Sequence, residues 1–281
     1  YTYGLARIFK LAAQAGYEGI EVLCDQRPDT RDPAYLRRLS SESGLPIIAL
    51  HNPFAPPMPG WPDDQWGRLK RTVALAQELG VPTVIAHPPF RQAGLVVHWY
   101  GAISGRLFMP LPWSQRKPWY RACVEGRLGE LEATSGVRIA VENMPQRRAL
   151  GLSLPLYWFN RPEQMRRFAH VTLDTTHVGT WGWDLFQVYE TLRDRIAHVH
   201  LSNFDGREHR APADGRLPLG ALLRRLAEDG YAGAISVESC PEALGAEDAA
   251  ACRAKLEETL AFCLEHSRGR SLAKQPVMGV Q

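Results

Sequence analysis

The sequence predicts an α/β fold of the (β/α)8 class, a TIM barrel. Short apolar segments that read as strands alternate with helix-like segments over most of the 281 residues, a pattern typical of βα units around a parallel sheet. A single barrel of roughly 250 residues fits this length. Six of the strand-like segments end on a side chain that can bind a metal. Because the carboxyl ends of barrel strands meet at one face, these side chains are expected to converge.

The predicted strands are short apolar runs bounded by helix-like segments. They lie at residues 17–24, 46–51, 82–87, 137–142, 170–174, 197–200 and 233–238. The metal-binding side chains at the ends of the last six are His51, His87, Glu142, Asp174, His200 and Glu238.

The predicted helices have apolar residues at helical spacing, and several have recognisable ends. Gly16, Gly44 and Gly80 are placed to end the first three in a left-handed conformation. Asp32 precedes the second helix, and Pro162 stands early in a short one. The helices lie at residues 5–15, 33–42, 63–79, 119–134, 162–169, 184–193, 217–228 and 246–266.

These segments supply seven strands, one fewer than a closed barrel needs. Because only a few residues precede the first helix, the missing first strand is expected upstream of residue 1. An open or seven-stranded barrel is the alternative. Residues 1–267 are expected to form one domain. Residues 268–281 are polar, contain Gly and Pro, and are expected to form a C-terminal tail.

Two long segments interrupt the alternation. Residues 88–117 separate His87 from the next helix and are rich in aromatic residues, and residues 143–159 follow Glu142. Loops of this length are usually functional or disordered, and the aromatic content of the first argues against disorder. Both are expected at the strand-end face. The first is compatible with a lid or with a subunit contact in a homo-oligomer.

Composition excludes several classes of protein. The formal net charge is +3, from 33 basic and 30 acidic residues that are mixed along the chain, which does not indicate a nucleic-acid partner. The sequence contains no apolar run of about 18 residues, so no membrane span is expected. No signal peptide is visible. The five cysteines lack paired spacing and are expected to be reduced thiols. These features predict a cytoplasmic protein.

Carboxylate and imidazole side chains together hold divalent ions such as Zn²⁺ and Mn²⁺. A single His or Glu at a strand end is more often a capping or solvent-facing residue, but six at corresponding places favour a metal site. His198 and His200 share one face of their strand, because side chains repeat every two residues. His200 lies nearer the carboxyl end and is expected at the metal, with His198 one layer deeper.

From the stretch Gly16-Tyr-Glu-Gly-Ile-Glu21 to Glu238, the chain resembles the xylose isomerase-like barrel superfamily. This superfamily includes sugar and sugar-phosphate isomerases and epimerases, and DNA-repair enzymes of the endonuclease IV type. The resemblance is specific for the fold and the metal site, and much less so for the substrate. It implies one shared divalent metal with four ligands, Glu142, Asp174, His200 and Glu238.

The first interpretation is a metal-dependent sugar or sugar-phosphate isomerase or epimerase. The resemblance implies that Glu142 and Glu238 flank the substrate and exchange protons with it through an enediolate, while Mn²⁺ or Zn²⁺ polarises the carbonyl. Other residues are expected to hold a small carbohydrate: His177 a hydroxyl, Arg207 or Arg210 an oxygen or phosphate, and Trp181, Trp183 or Trp113 the apolar face of a sugar.

The alternative is a zinc phosphodiesterase that acts on abasic DNA. His51 and His87 match the pair that holds an extra zinc in endonuclease IV-type enzymes, and His177 and His209 match two ligands of another. Arg207 occupies the third ligand position of that other zinc, and an arginine cannot bind it. A carbohydrate is therefore favoured, and the four histidines are left to a second metal or to the substrate. A third interpretation is a barrel that binds a sugar without catalysis.

Overall fold

The computed structural model contains a closed barrel of eight parallel strands with helices around it, which confirms the predicted (β/α)8 fold. It describes residues 3–54, 58–91, 93–99, 105–111, 117–149, 152–267 and 278–280. For residues 93–99, 105–111 and 149 it describes the backbone alone.

The strands, in chain order, are β1 (Gly19–Leu23), β2 (Ile47–His51), β3 (Thr83–Ala86), β4 (Ala93–Trp99), β5 (Gly105–Leu111), β6 (Arg138–Glu142), β7 (Arg147–Ala149), β8 (Leu152–Leu154), β9 (His170–Asp174), β10 (Ile196–Leu201), β11 (Ala234–Val237) and β12 (Met278–Val280). The helices are α1 (Leu5–Ala15), α2 (Pro33–Ser43), α3 (Gln65–Leu79), α4 (Pro118–Val124), α5 (Arg127–Ser135), α6 (Pro162–Met165), α7 (Thr175–Trp181), α8 (Leu185–Leu192), α9 (Leu219–Glu228) and α10 (Ala249–Ser267). A 3₁₀ turn spans Pro28–Arg31.

Neighbouring barrel strands follow the order β1-β2-β3-β6-β9-β10-β11-β12, and β12 closes against β1. The outward faces of the strands and the inward faces of the helices form the main core, in which residues such as Leu36, Leu69 and Leu222 are buried. This arrangement places every strand's carboxyl end at one mouth of the barrel.

The helix ends predicted at Gly16, Asp32, Gly44 and Gly80 are confirmed. The Asp32 carboxylate accepts hydrogen bonds from the backbone of Ala34 and Tyr35 at the start of α2. Gly16 and Gly80 adopt left-handed φ values of 89° and 70° and end α1 and α3. Such φ values cost glycine little, which explains why each helix stops where it does.

Two helices differ from their predicted bounds by more than three residues or are divided. The helix expected at residues 119–134 is two helices, α4 and α5, because Gly126 takes a φ of 78° between them. The helix expected at 162–169 ends at Met165. A further helix, α7, begins directly after Asp174, where a loop was expected, because the Asp174 side chain caps its first turn.

The eighth strand of the barrel is β12, which pairs with β1 on one side and with β11 on the other. The prediction that this place is filled by a strand upstream of residue 1 is therefore corrected, as is the expectation that residues 278–280 belong to a tail. Met278 and Val280 are buried. Gly279 lies opposite Gly19, and both leave room for the side chain of Ile48. Three residues are too few for periodicity to reveal a strand.

Each long loop contains an antiparallel hairpin. Strands β4 and β5 pair within residues 88–117, and β7 and β8 pair within residues 143–159. The side chains of Trp99, Tyr100, Phe108 and Trp113 lie outside the described part of the chain, as do residues 268–277 of the expected tail. All five cysteines are unpaired, as predicted. In the described ranges, no helix combines the length and apolar character that a membrane crossing requires.

The packing of β12 can be tested at Gly279. A β-carbon there would lie 2.2 Å from Cδ1 of Ile48. We expect Gly279→Ala to lower the free energy of unfolding by about 1–3 kcal/mol through overpacking. The loss should be smaller in an Ile48→Val background, which lacks Cδ1. Urea unfolding of the wild type, both single variants and the double variant measures this coupling. Equal losses in the two backgrounds would contradict the contact.

Candidate metal centre

Four ionisable side chains meet at the mouth of the barrel. One ligand atom from each lies within 4.8 Å of the others. Nδ1 of His200 is 3.2 Å from Oε1 of Glu142, 3.0 Å from Oε2 of Glu238 and 3.8 Å from Oδ2 of Asp174. The structure thus brings together all four side chains that the sequence analysis selected as metal ligands: Glu142, Asp174, His200 and Glu238.

Strand register and helix capping set the position of Asp174. It pairs with His200 across β9 and β10. The Asn143 side chain accepts a hydrogen bond from the Asp174 backbone N–H (2.8 Å) and donates one to its carbonyl (2.9 Å). Oδ1 of Asp174 accepts from the backbone N–H of His177 at 2.8 Å. One carboxylate oxygen is therefore used as a helix cap, and the other is left for the centre.

The donor set suits a divalent cation. Within the described part of the chain, Oδ2 of Asp174 and Oε2 of Glu238 are buried atoms whose contacts with imidazole nitrogens, at 3.3 and 3.0 Å, are not aligned as hydrogen bonds. Buried carboxylate oxygens are costly in that state unless a cation or donor satisfies them. Three carboxylates and one imidazole are the ligand types of Mn²⁺ and Zn²⁺ sites. These residues fit such an ion, whose charge would satisfy both atoms.

The pKa values of the three carboxyl groups shift in different directions. Burial raises the pKa of Asp174 well above its usual range, and the charges of Glu238 and Glu142 add to this rise. Burial would raise the pKa of Glu238, but the charge and hydrogen bond of His200 and the charge of His209 together outweigh burial and lower the pKa to about 2. Burial would also raise the pKa of Glu142, but the charge of His200 and hydrogen bonds from His177, His200 and His51 together hold it well below its usual range.

The pKa values of the imidazoles at the centre are raised. Burial lowers the pKa of His177, but the neighbouring charges, led by Asp174, raise it to about 9. Burial acts on His200 as well, and the charges of Glu21, Glu238 and Glu142 together raise its pKa well above the usual range. Without a metal, protonated imidazoles therefore supply the positive charge that the carboxylates need. A metal ion would take over this role and displace protons.

Glu142 joins the centre to a second group. Its Oε2 lies 3.4 Å from Nε2 of His51 and 3.1 Å from Nε2 of His87, and ligand atoms of the three residues lie within 4.8 Å of one another. Nδ1 of His87 is buried without a hydrogen-bond partner among the described residues. Burial lowers the pKa of His87, against the contact with Glu142. A neutral imidazole is the form that can bind a metal.

A third group contains His177, His209 and Glu208, again within 4.8 Å. Glu208 also forms an ion pair with Arg147, from the hairpin after β6. Arg207 was expected to leave this group without a third ligand. The next residue, Glu208, supplies a carboxylate instead. Glu208 was not selected from the sequence, because the expected ligand position lies two residues before His209, and Arg207 occupies it.

The three groups border one cavity of about 400 Å³, a size typical of small-molecule sites. Phe54, Phe90 and Tyr157 supply apolar and aromatic walls. The ionisable groups that line the cavity are His51, His87, Glu142, Arg147, His177, Glu208, His209 and Glu238.

Three residues expected to hold the substrate lie elsewhere. Arg207 is mostly exposed and pairs with Asp205 at 2.9 Å, and Arg210 pairs with the same carboxylate at 3.3 Å. Trp181 stacks on Trp183, with ring centroids 4.7 Å apart. None of them lines the cavity. Loop position predicted the strand-end face correctly but could not predict which side chains turn inward.

Sequence reasoning also missed Glu21, a fully buried residue in the middle of β1. It contacts His198 at 2.8 Å and His200 at 3.1 Å. The available signal was a carboxylate within the apolar run Gly-Ile-Glu-Val-Leu. A charge in such a run requires a buried partner.

The His177 charge predicts how stability depends on pH in the metal-free protein. Its pKa rises from 6.5 to about 9 on folding. The stabilisation is therefore complete below pH 6.5 and is lost as the pH rises through about 9. In EDTA, the difference in unfolding free energy between the wild type and His177→Gln should shrink across this interval. A difference that is constant or grows with pH would contradict the assignment.

Comparison with known proteins places this chain in a family. The protein named "Uncharacterized protein ML2432" from Mycobacterium leprae (strain TN) is 27% identical over 256 residues, 82% of each chain. The structure of D-psicose 3-epimerase with D-tagatose from Clostridium cellulolyticum H10 is similar with a TM-score of 0.66 and 13% identity, covering 95% of both chains.

The structure of an AP endonuclease, family 2, from Brucella melitensis is similar with a TM-score of 0.62 and 18% identity, covering 94% of this chain and 93% of its own. At these identities the likeness is one of fold. The model of one family, described as a xylose isomerase-like TIM barrel, matches residues 9–256. The chain belongs to the xylose isomerase-like TIM barrel family.

Proposed function

We propose that the protein is a divalent-metal-dependent isomerase or epimerase of a sugar or sugar phosphate. One observation carries the proposal: Glu142, Asp174, His200 and Glu238 offer ligand atoms within 4.8 Å of one another, and both glutamates line the cavity. The fold shared with sugar epimerases supports it. The proposed ion is Mn²⁺ or Zn²⁺.

The proposed reaction moves a proton at a carbon beside a carbonyl. The bound ion would supply Lewis-acid polarisation of that carbonyl. One of Glu142 and Glu238 takes the proton from the carbon, which leaves an enediolate, and the other returns a proton. The face to which the proton returns, or the carbon that receives it, decides between epimerisation and isomerisation.

The remaining cavity residues would hold the substrate. His177 is a hydrogen-bond donor in its protonated form and borders the centre. Arg147 takes the role first given to Arg207 and Arg210, because its guanidinium lines the cavity. Its ion pair with Glu208 leaves the pair neutral, which favours hydroxyl groups as its partners. The aromatic walls can cover the apolar face of a sugar.

A second candidate function is a multinuclear zinc phosphodiesterase acting on abasic DNA. It is supported by the three adjoining groups of ligands, two of which share Glu142. Glu208 removes the earlier objection based on Arg207. The ion pair between Glu208 and Arg147 argues against this function, because it engages a carboxylate that the third zinc would need. The carbohydrate proposal therefore remains the first.

The metal proposal predicts a large effect at Asp174. Asp174→Asn keeps the helix cap but removes the charge at Oδ2, and we expect Zn²⁺ and Mn²⁺ affinity to fall by more than about 100-fold. Asp184→Asn is the matched control, since the Asp184 side chain caps α8 through an equal bond of 2.8 Å to Gln187. Isothermal titration calorimetry measures both affinities and the metal count.

One ion per chain, lost in Asp174→Asn alone, is the expected result. Unchanged affinity in Asp174→Asn would exclude this residue as a ligand. Two or three zinc ions per chain, together with nicking of abasic DNA, would establish the second candidate instead.

The proton-transfer proposal predicts that Glu142→Gln and Glu238→Gln each lower turnover by about 10²–10⁴-fold. Turnover is measured as the incorporation of solvent deuterium into a panel of ketoses and ketose phosphates, followed by NMR in D₂O. This assay detects proton exchange at carbon whichever product forms. Glu132→Gln serves as the control, because Glu132 contacts His170 at the opposite end of β9. Full turnover in both variants would reject the role. Binding of sugars without any exchange in the wild type would favour a non-catalytic barrel.

A further inference from the structure

A buried carboxylate lies beneath the proposed metal centre. Glu21, on β1, has a side chain with no solvent exposure. Its Oε1 and Oε2 are 3.1 and 3.2 Å from Nε2 of His200, and Oε2 is 2.8 Å from Nε2 of His198. It does not border the cavity. The proposed reaction gives this residue no role, so its burial requires another explanation.

The two ring nitrogens of His200 face different partners. Nε2 faces Glu21, whereas Nδ1 faces Glu142 and Glu238 at 3.2 and 3.0 Å. An ionised carboxylate can only accept hydrogen bonds, so the Nε2 that faces Glu21 carries a hydrogen. In a neutral ring the lone pair then lies on Nδ1. This is the nitrogen directed at the other three ligands.

Glu21 is itself held in place by His198, which has a second contact with β11. His198, two residues before His200 on β10, contacts its Oε2. Nε2 of His198 also lies 2.9 Å from Oγ of Ser236, on β11, which pairs with His200. The carboxylate on β1 is thus fixed below the ring by His198 on β10, which is itself held by Ser236 on β11. A carboxylate held in this way can fix the ring in turn.

The same three residues, Glu21, His198 and His200, also satisfy the spacing of a metal site. Two observations argue against one. Both nitrogens that face Glu21 lie within hydrogen-bond distance, at 2.8 and 3.1 Å. The side chains are at most 1% exposed, which leaves an ion no entry path. A hydrogen-bonded support explains the group more simply.

We propose that Glu21 is a positioning residue: it holds His200 with the hydrogen on Nε2 and the lone pair of Nδ1 aimed at the metal. This inference rests on the proposed metal site. Carboxylates that orient metal-bound histidines in this way change metal affinity by about 10–100-fold when they are removed.

The test compares Glu21→Gln with Glu132→Gln. Glu132 is also a largely buried glutamate that contacts a histidine, with Oε1 2.7 Å from Nδ1 of His170. Both variants replace a carboxylate by an amide of the same size. The amide at position 21 can present its NH₂ group to His200 and favour the wrong tautomer. Zn²⁺ affinity by competition calorimetry, and the melting temperature of the metal-free protein, are measured for both.

We expect Zn²⁺ affinity to fall by about 10–100-fold in Glu21→Gln and to match the wild type in Glu132→Gln. Wild-type affinity in a folded Glu21→Gln would overturn the inference and leave the proposed function intact. A wild type that binds no Zn²⁺ would overturn the proposed function first, and the inference with it.

A second measurement does not depend on the folding of a variant. In the Zn²⁺-loaded wild type with ¹⁵N-labelled histidine, long-range ¹H–¹⁵N spectra should identify His200 as the tautomer with hydrogen on Nε2 and metal on Nδ1. A His200→Asn variant assigns the signal. Metal on Nε2 of His200 would overturn the inference, because that nitrogen would then no longer donate to Glu21.

Discussion

The mouth of the barrel is governed by the need to compensate buried negative charge. Glu21, Glu142 and Asp174 are buried completely or almost completely, and Glu238 borders them. Isolated carboxylates in such surroundings would be prohibitively unfavourable. Imidazoles from neighbouring strands compensate them in the metal-free protein, and two carboxylate oxygens still lack an aligned hydrogen bond among the described residues. The proposed divalent cation would complete this balance better than protons do, because one ion can satisfy several oxygens at once.

The barrel delivers these groups through backbone features that lie outside the cavity. Parallel register pairs Asp174 with His200, and the start of α7 takes one oxygen of Asp174 as its cap. Asn143 fixes the backbone on both sides of the same residue. Below this level, Glu21 connects β1 to β10. The centre is therefore built in layers, in which Asp174 and His200, two of the four proposed ligands, are each oriented by neighbouring groups of the barrel.

Much of the fold and centre could be predicted from the sequence, because both depend on repetition. Apolar runs ending on His51, His87, Glu142 and Asp174 carry the strand pattern and the ligand positions together. The parallel barrel converts equal position in each unit into spatial proximity. Prediction failed where repetition is absent. The strand β12 is three residues long, and its place depends on contacts made by distant residues.

Side-chain direction in loops was the other failure. Arg207 and Glu208 are adjacent in the chain, yet the first pairs with Asp205 at the surface and the second lines the cavity. Local hydrogen bonds and an ion pair with Arg147 decide this difference, and spacing from a motif does not encode them. Glu21 was missed for a related reason, since its partners lie more than 170 residues away.

Anomalous diffraction at the zinc edge, from crystals of the Zn²⁺-loaded protein, would locate the proposed ion directly. We expect the strongest peak at the barrel mouth, about 2.0–2.2 Å from carboxylate oxygens of Glu142, Asp174 and Glu238 and from Nδ1 of His200. A strongest peak outside the barrel mouth, one held by Glu21 and His198, or no bound zinc would contradict this expectation.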